Sequence, residues 1–329
     1  LLDKTYNRTP LNQRLLSMTE VDPTNKMAKI FVWIAWIIGL ALLMFVFQDV
    51  LDDQLLTKLR AVTDEVAASA RDLKESNDLI DLEPGHTQEI PRVRRIKKPH
   101  LAHTFYLELC AKSCITDLLE PLIGPNIRLR AGGKVNMKSA EFGAPVEWHQ
   151  DWAFYPHTND DLLAAGLLLD DMDLDNGPLM VLPGTHKGPV YDHHSQGVFC
   201  GAIDPTMTGV DFSKAVPLTG KAGSMTIHHA RLLHGSELNR SGRQRRLLLY
   251  EYTAADAWPM AGVEPLTDFE EFNKRIVRGS ATIEPRVETV PIRMPFPKAP
   301  HQGSIYENQR GLSHSYFQHS PVAKGVGAT

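Results

Sequence analysis

Residues 224–252 read SMTIHHARLLHGSELNRSGRQRRLLLYEY, two strand-like runs on either side of a turn-rich connection. The runs 224–229 and 246–252 are short and bounded by turn residues, which is how strands of a packed β structure read. Between them Asn239-Arg240-Ser241-Gly242 supplies turn chemistry. A chain folding back about Arg240 as a hairpin is expected to set Arg245 beside His234 on the next strand. Further candidate strands at 128–131, 134–140, 163–169 and 179–182 alternate with Gly132-Gly133, Asn176-Gly177 and Pro183-Gly184. Upstream, Leu55, Leu56, Leu59, Val62, Val66 and Leu73 recur at helical spacing, predicting a helix over 53–76. Residues 83–99, with three prolines and a glycine, read as loop, and 103–122 as a second helix ended by Gly124-Pro125. Helices followed by closely spaced strands predict a mainly β fold, a jelly roll with helices packed on one sheet.

The chain has 329 residues, enough for a full core, and a formal charge of −4 that gives no case for nucleic acid. Its densest basic run, residues 92–98, reads as a solvated loop. Cys110, Cys114 and Cys200 are too few for a disulfide framework and point to buried thiols in a reducing, cytoplasmic setting. Residues 30–47 form an uncharged apolar run between Lys26, Lys29 and Asp49, Asp52, Asp53, just long enough to cross a bilayer as a helix. The expected organisation is therefore an extension over 1–53 with a candidate membrane tether at 30–47, a catalytic domain over 54–300 and a tail over 301–329.

His149 and Asp151 stand two apart in Trp148-His149-Gln150-Asp151, so on extended backbone both side chains leave one face. About one such pair is expected by chance in a chain of this composition, so a third ligand is needed. His234, at a strand end, is the candidate, with His228 and His229 as core or neighbouring groups. Two histidines and a carboxylate leave open positions on iron for an organic acid and O2. Arg245 can pair with the far carboxylate of that acid and Ser236 can add a hydroxyl. Arg243 and Arg246 compete for the role, because the strand after them is apolar at both parities. Trp152 and Phe154 are candidate substrate contacts. The alternatives are a zinc-type metallohydrolase on the same three ligands or a non-catalytic jelly-roll binding protein.

Trp148-His149-Gln150-Asp151, residues 182–188 (LPGTHKG), His234-Gly235-Ser236, and Asn239, Ser241 and Arg245 together resemble the phytanoyl-CoA dioxygenase family, over roughly residues 55–310. The resemblance implies a cupin-like double-stranded β-helix with Fe(II) on His149, Asp151 and His234. It implies 2-oxoglutarate on Arg245 and Ser236, with Lys134 lining that pocket. It further implies O2-dependent hydroxylation of a small organic substrate, with release of succinate and CO2; the oligomeric state is left open. A carboxylate at Asp151 favours hydroxylation over halogenation. Family members usually begin with a short strand before the first helix, and here the apolar run occupies its place. Leu167 stands nearest to the position where some members carry a tryptophan.

Overall fold

The computed structural model describes residues 43–261, 268–299 and 304–317. In chain order its strands are β1 Met44–Phe47, β2 Ile80–Leu82, β3 Val93–Ile96, β4 Ile127–Leu129, β5 Lys134–Lys138, β6 Val146–His149, β7 Leu162–Leu168 and β8 Leu179–Val181. They continue with β9 His194–Ser195, β10 Val198–Phe199, β11 Val216–Leu218, β12 Met225–His229, β13 His234–Ser236, β14 Arg245–Ala254 and β15 Ile276–Arg278. A large antiparallel sheet runs β1-β12-β7-β14-β5-β3-β2, with β4 also on β14 and β15 on β4. A second sheet runs β11-β8-β13-β6. The two enclose a core of Leu168, Leu247 and Leu249 from one side and Leu179, Val181 and Leu218 from the other. This is the jelly-roll double-stranded β-helix.

The outer face of the large sheet is covered by helices. Asp53–Ala68 is capped by the Asp52 carboxylate, which accepts from Leu55 N, and buries Leu56, Leu59, Val62, Thr63 and Val66, one stripe at helical spacing. Where one long second helix was expected, three short ones occur: Pro99–Ala102, Phe105–Cys110 and Ser113–Ile123. They anchor the sheet through Tyr250, whose hydroxyl donates to Tyr106 O, and Tyr252, whose hydroxyl donates to Cys110 O. Cys110 and Cys200 are buried free thiols.

Three expectations are corrected here. The basic run 92–98 is not a solvated loop: Val93–Ile96 is β3, bonded between β2 and β5, and Arg94 is buried. Charge misled because a long side chain can be buried beside partners, here over the Tyr306 ring. The apolar run does not end as a membrane helix. Met44–Phe47 is an edge strand paired with β12, so the short strand expected before the first helix is present inside that run. No helix among the described residues is long and apolar enough to cross a membrane, and residues 30–42 lie outside the described part. The third correction is the hairpin. β13 belongs to the small sheet and β14 to the large one, so the connection crosses the barrel instead of folding back. Asn239 fixes the crossing: its amide donates to Lys138 O, Ser139 O and Arg243 O, and its carbonyl accepts from Ser241.

Part of the expected tail is also built into the domain. The Gln309 side chain bridges Glu147 N and Pro145 O, and Phe317 stacks on Trp148 with centroids 5.6 Å apart. Both contacts clamp β6, the strand that ends in His149.

Candidate active site

Adjacent strands deliver the two histidines. His149 closes β6, His234 opens β13, and they are register partners, so their ring centroids lie 4.1 Å apart. Asp151 follows in the single-turn helix Asp151–Ala153. Its Oδ1 is 3.8 Å from His149 Nε2 and its Oδ2 is 3.9 Å from His234 Nε2. One donor atom from each of the three lies within 4.8 Å of the others, and all three residues are buried. Each imidazole is oriented by the backbone carbonyl two residues before it, His149 Nδ1 bonding to Glu147 O at 2.8 Å and His234 Nδ1 to Leu232 O at 2.9 Å. A carbonyl only accepts, so the proton sits on Nδ1 and the Nε2 lone pair is free for a metal.

Burial, reinforced by His234, holds His149 well below its ordinary value, and burial lowers His234 too. Both are therefore neutral, the ligating form. Burial opposes the Asp151 charge, yet Lys134, His234 and His149 hold its carboxyl below the usual carboxylate range. The Tyr155 hydroxyl hydrogen-bonds to it. Two neutral imidazoles and one ionised carboxylate fit Fe(II) with positions left for a keto acid and O2.

The choice among the three arginines is made by the parity of β14. Arg246 faces outward and pairs with Asp170 at 2.7 Å and with Asp64; Arg243 is exposed beside Asp173 and Asp175. Arg245 faces the interior with Leu247, Leu249 and Glu251. Its Nη2 donates to Gly177 O at 2.6 Å, while its buried Nε has no partner. Burial pushes Arg245 down to about 10, so it stays charged at neutral pH. Its register partner is Lys138, whose ammonium donates to Glu237 O. A buried guanidinium with an orphaned donor fits the far carboxylate of 2-oxoglutarate. Ser236 lies two residues beyond His234 on β13 and is buried.

The sequence reading did not find several residues near these groups. Glu251 is hydrogen-bonded by Arg130 at 2.6 Å and Lys134 at 2.8 Å, and those cations hold its carboxyl at about 2 although burial opposes it. Lys138 was missed too, whereas Tyr155 and the ring of His228, the latter already read as a core or neighbouring group, also border the site. One signal was available: Lys134, Asn136 and Lys138 alternate with Val135 and Met137, so β5 displays a polar face to the interior. Phe154 stands edge-on to His149 at 6.1 Å. Trp152 does not face the site; it is fully buried in the core under the helices, and its indole N–H donates to Pro291 O. Leu167 likewise packs in that core rather than in the interior.

Two buried histidines that are not candidate ligands set an acid limit. Burial lowers His157 to about 3 and His193 to about 4. A depressed folded value means stability that is present above the unfolded pKa near 6.5 and lost as pH falls through the folded value; each contributes a loss of about 3 kcal/mol by pH 4. Glu83 and Glu147, pushed up by burial to about 7 and about 6, act in the opposite sense as pH falls toward 4.5. The contrast is therefore between variants: His157→Gln is expected to lose about 3 kcal/mol less than the parent protein between pH 7 and pH 4. Parallel urea-midpoint profiles for the two would contradict it.

A jelly roll that sets His149, Asp151 and His234 against an interior arginine has the site of an iron- and 2-oxoglutarate-dependent oxygenase. The family model described as Phytanoyl-CoA dioxygenase (PhyH) matches residues 44–247, and the chain belongs to that family. It is 40% identical, over 77% of its length and 92% of the relative's, to the Stutzerimonas stutzeri protein named "Probable alpha-ketoglutarate-dependent hypophosphite dioxygenase". It is 31% identical, over 52% of its length and 72% of the relative's, to L-proline trans-4-hydroxylase of Streptomyces griseoviridis. EctD from S. alaskensis, solved with 2-oxoglutarate and 5-hydroxyectoine, shares the fold at TM-score 0.56 and 22% identity, over 78% of this chain and 86% of that one. The protein is a 2-oxoglutarate-dependent non-haem iron dioxygenase that oxidises a small molecule with release of succinate and CO2. Membership in the family displaces both the metallohydrolase and the binding-protein alternatives.

Proposed function

We propose that His149, Asp151 and His234 hold the iron, that Arg245 and Ser236 hold the far carboxylate of 2-oxoglutarate, and that the substrate is a small oxyanion of the hypophosphite type. Iron with 2-oxoglutarate and O2 supplies the oxidant that inserts one oxygen atom into the substrate. For a P–H oxyanion the balance is substrate, O2 and 2-oxoglutarate giving the P–OH product, succinate and CO2. The protein binds and orients the reactants and keeps competing reactions out.

One observation carries the substrate class. Across the large sheet Met44, His228, Ala164 and Glu251 are successive register partners, so their side chains share the interior face. Glu251 carries two cations, Arg130 and Lys134; with the ionised Asp151, which Lys134 also stabilises, two cations face two carboxylates, and a bound divalent metal would tip the site positive. A short, polar shelf that sets Arg130 and Lys134 beside a divalent-metal site suits a small anion better than a long hydrocarbon chain. The same shelf reassigns Lys134: its closeness to Asp151 supports a place at the metal end, while Lys138 accompanies Arg245. The 40% identity to the hypophosphite dioxygenase relative points the same way.

The test is anaerobic loading with Fe(II) and 2-oxoglutarate, admission of O2, and parallel measurement of succinate and of phosphorus NMR. Hypophosphite is expected to disappear with one succinate per phosphite formed. Coupled turnover of L-proline or ectoine, with none for hypophosphite, would reject the oxyanion assignment.

A further inference from the structure

We infer that His228 is the hydrogen-bond donor that holds the substrate's oxyanion beside the metal site, an inference that rests on the small-oxyanion reading above. His228 lies on β12, and its ring centroid is 4.4 Å from that of His234. Its Nε2 is 3.9 Å from Asp151 Oδ2, too far for a hydrogen bond. The side chain is 1% exposed, yet neither ring nitrogen has a hydrogen-bond partner. The neighbouring histidines differ. His149 and His234 each bond a backbone carbonyl through Nδ1, and His193 bonds Tyr191 O through Nδ1 and accepts from Gln150 N through Nε2. A neutral imidazole carries one donor and one acceptor. Leaving both unmet inside a protein is unfavourable, so such a group points to a ligand that meets them.

The surroundings say which ligand. In the register row His228 is followed by Ala164 and then by Glu251 with its two cations. A single methyl group separates the imidazole from that cluster along the sheet. The imidazole N–H and the Lys134 ammonium thus flank a position facing the three metal ligands. An oxyanion placed there accepts from His228 at one oxygen and is attracted by the Lys134 ammonium at the other. Nothing in the arrangement asks His228 to bind the metal: its ligand atoms do not join the group formed by His149, Asp151 and His234.

The test uses anaerobic calorimetry on the full chain loaded with Mn(II) and 2-oxoglutarate, so that binding is read without turnover. His228→Phe keeps the ring volume and removes the donor; His228→Gln keeps a donor. His228→Phe is expected to raise the Kd for hypophosphite about 10- to 100-fold, the loss of one hydrogen bond to a charged group. The Kd values for Mn(II) and 2-oxoglutarate should stay within about threefold, and His228→Gln should recover part of the loss. An unchanged hypophosphite Kd in His228→Phe overturns the inference, as does a loss that falls on Mn(II) or 2-oxoglutarate instead. If the parent protein ignores hypophosphite but binds L-proline with the same dependence on His228, the substrate assignment fails and the oxyanion role stands. Binding of neither hypophosphite nor L-proline overturns both.

Discussion

Replacing Arg245 by alanine is expected to raise the 2-oxoglutarate concentration for half-maximal turnover about a hundredfold or more, while Arg246→Ala leaves it within about threefold. The reason is the parity of β14. Arg245 is buried in the interior with an unpartnered Nε, and a paired, desolvated guanidinium–carboxylate contact is worth about 3–4 kcal/mol when one side is removed. Arg246 is equally buried but satisfied by Asp170; its loss strands that carboxylate and is expected to cost stability, about 2–3 kcal/mol. The two variants therefore separate by observable: a KM shift for one, a lowered urea midpoint for the other. Arg245→Lys should recover only part of the binding, because an ammonium keeps the charge and loses the fork. A 2-oxoglutarate KM that responds to Arg246→Ala and not to Arg245→Ala would show that the interior face has been misassigned.

Removing the carboxylate at the metal has the larger effect. Asp151→Ala is expected to abolish stoichiometric Fe(II) binding and to lower succinate formation by more than about a thousandfold, since the two neutral imidazoles of His149 and His234 keep no anionic partner. Equilibrium dialysis under anaerobic conditions reads the metal directly, and the thermal midpoint checks that the fold persists. His186→Ala is the control. His186 sits in the turn Thr185–Lys187, its ring 5.6 Å from that of His229, and it does not belong to the group of possible metal ligands. Iron bound at full stoichiometry by Asp151→Ala, or lost in His186→Ala, would remove the proposed ligand set.

Much of the site was legible because its chemistry is written in residue types. Histidine and aspartate two apart at a strand end are readable without coordinates, and so is a later histidine eleven residues before an arginine. Six of the eleven strands from 127 to 254 were located to within about two residues at each end, where turn chemistry bounds them, while the short β6, β9, β10, β11 and β13 were not. Signals failed where burial is two-sided or where charge hides structure. β3 was concealed by its arginines and β1 by the apolar run of which it is the end. Trp152 was legible only as an aromatic near the ligands, and the structure spends it on the core.

By itself, then, the sequence determined the fold class, the three candidate metal ligands and a short list of arginines, because these depend on local pattern and on the chemistry each side chain carries. Only the tertiary structure decided which arginine faces inward, that the segment from His234 to Arg245 crosses between sheets, and that His228 stands unpartnered beside the metal ligands. β14 is buried on both faces, with Leu247 and Leu249 in one core and Leu248 and Tyr250 in the other. A strand whose central run is apolar at both parities carries no alternation from which to read its faces, and its orientation is fixed by pairing with β5 and β7, residues some 80 to 115 positions away in the chain.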